Sequence, residues 1–186
     1  MSIKKSILAS ILISLGVAVN LKVGAPLGPF LFAFGLMGVC VLQAELYTGK
    51  AGYVDEIGFV NLINILNINF MTAMVCGLLL KYTMPEIIPV ANNVAMGWVN
   101  TPLGPYFMKS VLCGMIMFIA VDMYKKGNIF GILFGIPLFI FCGFQHCIAN
   151  MIIGCIAMPN VNFSVPIIIS IIGNLIGSVI IRKLIK

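Results

Sequence analysis

Apolar residues fall into six long runs, and the polar positions between them are few. The first run spans about Lys5 to Leu21 and closes at Lys22; Gly24, Pro26, Gly28 and Pro29 then break the chain. The second, Phe30 to Tyr47, ends in Glu45-Leu46-Tyr47-Thr48-Gly49-Lys50-Ala51-Gly52, where a charge and two glycines predict an early helix stop. The third covers about Phe59 to Leu80. A polar connection from Lys81 to Pro105 follows, with several prolines and asparagines and the sole tryptophan, Trp98. Trp98 and Tyr106 suit a lipid–water interface. The fourth run, Phe107 to Tyr124, turns at Lys125-Lys126-Gly127-Asn128. The fifth, Ile129 to Met158, is longer, contains Pro137, and carries Gly143-Phe144-Gln145-His146-Cys147-Ile148-Ala149-Asn150-Met151 in its middle. Pro159-Asn160 leads into the sixth, Pro166 to Ile181, closed by Arg182, Lys183 and Lys186. A helical span needs about 20 apolar residues, so the pattern predicts an all-α membrane protein with six transmembrane helices in a single domain, residues 1–186.

Composition removes the soluble alternatives. The 186 residues are 61% hydrophobic and 9% charged, with a mean hydropathy of +1.15. The net charge of +6 does not point to nucleic acid. Its cations sit singly or in pairs at run ends, a topology signal and not a binding face. With six spans, Lys4, Lys5, Lys50, Lys125, Lys126, Arg182, Lys183 and Lys186 share one side and Lys22, Lys81 and Lys109 the other. Both termini are therefore expected in the cytoplasm of a cell inner or plasma membrane. Lys4 and Lys5 precede an apolar run without a small-residue cleavage site, so that run reads as a span and not a signal peptide. The six cysteines lie in apolar segments. Cys142 and Cys147 beside His146 read as packing residues, and no metal or cofactor is expected.

The halves, about 1–100 and 101–186, echo each other. Ala18-Val19-Asn20-Leu21 matches Ala120-Val121-Asp122-Met123, Gly24 and Gly28 match Gly127 and Gly131, Leu36 falls opposite Phe139, and Asn69 opposite Asn174. Three spans per half forces opposite insertion. Inverted repeats with interruptions in corresponding helices mark transport proteins with a midplane site. Here the interruptions are Glu45 to Gly52 and Gly143 to Asn150.

A polar cluster at membrane depth is expensive and therefore a functional suspect. His146 is the only histidine, flanked by Gln145 and followed by Asn150. Broken helices direct partial positive charge at a buried point, and a histidine there can offer a proton or a hydrogen bond to a small weak-acid anion. A helix-packing histidine bonded to a hydroxyl is the competing reading; the flanking amides favour function. Phe32 and Leu36 share a helical face, and Phe139 lies on the face of His146 if the helix is continuous. By periodicity alone these are packing or lipid-facing residues. Thr48 reads as a turn residue, Glu45 as a surface partner of Lys50, Asp122 as a surface partner of Lys125 or Lys126, and Asn69 and Asn174 as interhelical hydrogen-bond groups.

The segment from Gly143 to Met151 resembles the Gly-Phe-Glu-His-Ser-Ile-Ala-Asn-Met signature of the formate/nitrite transporter family. Glu45-Leu46-Tyr47-Thr48-Gly49 resembles its Glu-Leu-Phe-Thr-Gly motif, and Gly173-Asn174-Leu175-Ile176-Gly177 its final Gly-Asn-x-x-Gly. The motifs stand in family order across essentially the whole chain. The resemblance implies an aquaporin-like fold with broken second and fifth helices, a homopentamer with one pore per protomer, and passage of small monovalent anions past His146. Thr48 would face the histidine, and Phe32, Leu36, Tyr47 and Phe139 would form the hydrophobic constrictions.

Several positions depart from the family pattern. Gln145 replaces glutamate, Cys147 serine and Tyr47 phenylalanine, so one collar gains a hydroxyl. Gly114 stands where an asparagine usually follows the cysteine, losing a pore-side polar group. Lys109 is the candidate for the vestibule lysine. The function expected is a channel or transporter for formate, nitrite or hydrosulfide, passive or coupled to a proton, and not an enzyme. The alternative is the substrate-capturing membrane subunit of a vitamin importer driven by a separate ATPase. An intramembrane enzyme using His146 and Asp122 lacks a nucleophile or metal set.

Overall fold

The computed structural model describes residues 1–185; Lys186, counted above among the terminal cations, lies outside them. The helices are α1 (Ile3–Val23), α2 (Leu27–Val41), α3 (Tyr47–Lys50), α4 (Val54–Ile57), α5 (Phe59–Thr83), α6 (Ile88–Asn100), α7 (Leu103–Lys125), α8 (Phe130–Phe141), α9 (Cys147–Ala157) and α10 (Ser164–Ile185). Single 3-10 turns occupy Ala51–Tyr53 and Pro85–Ile87, and no strand occurs among the described residues. By length and apolarity α1, α5, α7 and α10 are able to cross a membrane, while α2, α8 and α9 are shorter apolar helices. The composition and this set of helices describe a multi-pass membrane protein.

Small residues set the helix crossings. The main packed pairs are α10 on α7 and α1 on α2. A methyl group on Gly114 would strike the Asn174 carbonyl, and one on Gly177 the Val111 carbonyl. On Gly35 it would lie 2.6 Å from the Leu12 carbonyl. Only glycine lets the backbones approach this closely. Position 114 is therefore a packing point against α10.

The helix stops differ from those expected. The second apolar run ends its helix at Val41, ahead of Glu45, Gly49 and Gly52, which all lie beyond the break. The Ala44 amide donates to the Val39 carbonyl at 2.8 Å and the Gln43 amide to the Cys40 carbonyl at 3.2 Å. That is a Schellman stop, which needs a left-handed residue at its centre. Gln43 fills the position at φ 51°. The fifth run stops in the same way after Phe141: the Phe144 amide donates to the Phe139 carbonyl at 2.9 Å and the Gly143 amide to the Ile140 carbonyl at 3.0 Å, with Gly143 at φ 65°. Glycine signals one stop; a glutamine hides the other. The Lys81–Pro105 connection contains α6, whose Pro89 sits in the first turn, where proline is tolerated. Its Ala91, Ala95 and Trp98 are buried on one face, and α6 packs on α9. Trp98 and Tyr106 are buried within the protein.

Candidate functional site

The site is built from the two matching stops. Past each, the chain runs extended and re-enters a helix. Leu46 (φ −101°, ψ 130°) begins α3, and His146 (φ −101°, ψ 111°) begins α9. The backbone groups exposed at these breaks would each cost several kcal/mol if left unpaired in an apolar interior. Two buried asparagines satisfy them. Asn69 Oδ1 accepts from the Tyr47 amide at 2.8 Å, and its Nδ2 donates to the Ser6 and Glu45 carbonyls at 2.8 and 3.1 Å. Asn174 Oδ1 accepts from the Cys147 amide at 2.9 Å, and its Nδ2 donates to the Ser110 and Gln145 carbonyls, both at 2.8 Å. The Glu45 amide donates to the Lys5 carbonyl and the Gln145 amide to the Lys109 carbonyl. The expected interhelical role of Asn69 and Asn174 is observed in this form. The correspondence pairs Val39, not Leu36, with Phe139, and Leu46 with His146.

His146 is 1% exposed and Thr48 fully buried. His146 Nδ1 accepts the Ala149 amide at 3.1 Å and so caps α9. An acceptor Nδ1 puts the ring proton on Nε2. Nε2 lies 2.9 Å from Thr48 Oγ1, so the imidazole donates to the hydroxyl. The hydroxyl's own proton then remains available for a third group. The Ala149 amide, in the first turn of α9, thus determines which ring nitrogen meets Thr48.

Phe139 stacks on the imidazole with ring centroids 5.9 Å apart, and Phe32 meets Phe139 edge-on at 5.9 Å. The helix is not continuous between Phe139 and His146, contrary to the condition set by the seven-residue spacing; the turn at Gly143 folds one ring over the other. Leu36 is fully buried on the helical face of Phe32. Tyr47 is buried, and its hydroxyl donates to the Ile171 carbonyl at 3.1 Å, so the added oxygen is tied to α10.

Gln145 and Asn150 form a neighbouring network that does not touch the imidazole by hydrogen bond. Gln145 Nε2 donates to the Gly143 carbonyl at 2.8 Å, and Asn150 Nδ2 donates to Gln145 Oε1 at 2.8 Å and to the Tyr106 hydroxyl at 3.0 Å. Tyr106 joins this network through its hydroxyl, a contact that nothing in the local sequence signals. Glu45 does not pair with Lys50; its carboxylate accepts from the Ser2 amide at 2.7 Å and the Ser6 hydroxyl at 3.4 Å. Asp122 does pair with Lys126, at 2.7 Å.

A cavity of about 400 Å³ is lined by Leu46 and Gly49, which bracket Thr48 in the chain, and by Val39 and Val121, with Lys50 and Lys125 at its wall. Lys109 stands on the other break, its ammonium 3.9 Å from the space a Gly143 side chain would occupy. Cations thus flank both breaks, while His146 has no carboxylate among its hydrogen-bond partners. Among the described residues no cluster of three or more His, Cys, Asp or Glu is placed to hold a metal.

The sequence model of a family described as formate/nitrite transporter matches residues 2–186. No curated relative matches the chain. Among solved structures, the fold is similar to an FNT family ion channel, with a TM-score of 0.85 and 18% identity over 98% of this chain and 87% of that one. It is also similar to a pentameric formate channel with formate bound, with a TM-score of 0.67 and 17% identity over 98% of this chain and 91% of that one.

Proposed function

This chain belongs to the formate/nitrite transporter family, and we propose that it is a membrane pore for small monovalent anions of the formate, nitrite or hydrosulfide class, with His146 at its centre. The carrying observation is the buried contact of Thr48 with His146, where two interrupted apolar helices meet. In this reading the chain is one transmembrane domain of six spans, built from inverted halves of about residues 1–100 and 101–186. Each half contributes one broken helix, α2 with α3 and α8 with α9. Both termini face the cytoplasm, as the distribution of lysines and arginines supports. Protomers assemble as a homopentamer in the cell membrane, with one pore each.

The anion is gathered by the positive field of Lys50 and Lys125 at one mouth and Lys109 at the other. Phe32, Leu36, Phe139 and Tyr47 form apolar collars that exclude its hydration shell. Inside, the charge is met by the Thr48 hydroxyl, polarised by the Nε2–H of His146, and the imidazole supplies a hydrogen bond or a proton as the anion passes. Asn174 holds the α9 break on which the imidazole sits. Gln145 and Asn150 fix the adjoining turn. No chemical conversion is involved.

The vitamin-importer reading is not favoured, because it supplies no reason for two matched helix stops or for Thr48 facing His146. Flux into liposomes tests the proposal. Vesicles carrying the protein should take up formate, nitrite or hydrosulfide faster than protein-free vesicles. Uptake no faster than the protein-free background, together with tight binding of an organic molecule, would replace it with the importer reading.

A further inference from the structure

We infer that Arg182 is a positioning residue that holds Thr48 against His146 by clamping the segment that follows it. This rests on the reading of Thr48 and His146 as pore residues.

Thr48 lies on α3, a helix of 4 residues that cannot hold itself in place. The chain after it is a 3-10 turn and then the equally short α4. Asn69 of α5 holds the start of α3 at the Tyr47 amide, and contacts with α5, α7 and α10 fix the rest. Arg182 is near the end of α10 and only 5% exposed. Its Nη1 donates to the Gly52 carbonyl at 2.8 Å and lies 3.2 Å from Asp55 Oδ1, and its Nη2 pairs with Glu56. The guanidinium also stands over the Tyr53 ring, 4.6 Å from its centre.

One side chain therefore holds four nearly consecutive residues, which requires a planar fork with several donors. Tyr53 is also held by α7: Lys125 Nζ lies 3.4 Å from the ring centre, Phe118 packs at 5.2 Å, and the Tyr53 hydroxyl donates to Asp122 at 3.2 Å. Gly52 fills the joint without slack. A methyl group there would strike the Phe118 ring and lie 3.2 Å from the Ser178 carbonyl. The joint stands one helical turn beyond Thr48. A shift of the segment at Gly52 is passed through α3 to the Thr48 hydroxyl, and a displacement of about 1 Å is enough to lose a hydrogen bond.

An exposed ion pair would contribute little. This one is different because the guanidinium is buried and donates to a main-chain carbonyl. Lysine keeps the charge and loses the fork, so Arg182→Lys tests position without testing charge.

The experiment is a mutant cycle on the full chain in liposomes, reading formate flux from pH 5 to 8. Its arms are Arg182→Lys, Gly52→Ala, Thr48→Val and the Arg182→Lys/Thr48→Val double variant. Arg182→Lys and Gly52→Ala should each lower flux about tenfold, the size of one lost buried hydrogen bond, and both pH profiles should superpose on that of Thr48→Val. The double variant should be no slower than Thr48→Val alone. If Thr48→Val is impaired but the Arg182→Lys loss multiplies with it, or Arg182→Lys and Gly52→Ala both keep the wild-type rate and profile, the positioning role is wrong. If Thr48→Val itself carries formate at the wild-type rate, the pore reading falls and this inference falls with it.

Discussion

Thr48 Oγ1 and His146 Nε2 meet at 2.9 Å although they belong to different helical fragments, α3 and the cap of α9. His146 Nδ1 is already committed to the Ala149 amide. The ring therefore has one free face and one direction in which to donate, and Thr48 occupies it. The cap makes Nε2 the donor of the neutral ring.

Thr48→Val keeps the shape of the side chain and removes its oxygen. Nε2–H is then buried without an acceptor, which costs about 1–3 kcal/mol. Anion flux in liposomes should fall by about tenfold or more, with oligomer size on gel filtration unchanged.

His146→Asn separates the cap from the titration. Asparagine is a strong helix N-cap, so α9 should stay capped and the thermal midpoint in detergent should remain close to wild type. His146→Leu loses the cap and should melt lower, by the equivalent of about 1 kcal/mol. In both variants flux should lose its dependence on pH between 5 and 8. Retention of the wild-type profile in His146→Asn would remove the histidine from the pathway.

The chemistry of the site was legible because it is out of place: Asn69, Asn174 and His146 are polar in apolar runs, and burial makes each of them find partners. The ends of the helices were not. Glu45, Gly49 and Gly52 look like a stop, yet the helix ends earlier, at a Schellman turn centred on Gln43, because carbonyl satisfaction and not side-chain type decides where it closes. Helix α6 was hidden by Pro89, which belongs to its first turn, and by the asparagines along it. Phe139 and His146 meet through the turn at Gly143 and not along one helical face. The bond between Tyr106 and Asn150 was not legible, since only the fold brings the two together.

Asn174→Leu removes an acceptor and two donated hydrogen bonds in one step. The Cys147 amide and the Ser110 and Gln145 carbonyls would be left unpaired in an apolar interior, at about 1–3 kcal/mol each. Asn69→Leu does the same to the Tyr47 amide and the Ser6 and Glu45 carbonyls. Each variant should lower the thermal midpoint more than any single hydroxyl removal such as Ser110→Ala. The double variant should fail to accumulate in the membrane. A near-native midpoint for either single variant would mean that the breaks are stabilised by other groups.

Gln145 is where this chain can be made to respond more strongly to pH. Its Nε2 donates to the Gly143 carbonyl and its Oε1 accepts from Asn150. A carboxylate at the same place keeps the Asn150 bond and loses the bond to Gly143, since it has no proton to give. It also brings a negative charge to the residue before His146, which favours the protonated ring and works against the neutral donor that the α9 cap selects. Gln145→Glu should therefore make anion flux depend more steeply on pH across 5 to 8, with higher flux on the acid side, where the protonated ring attracts the anion. The comparison is between flux–pH curves of wild type and variant in the same vesicles. Superposable curves would show that residue 145 is electrostatically silent toward His146.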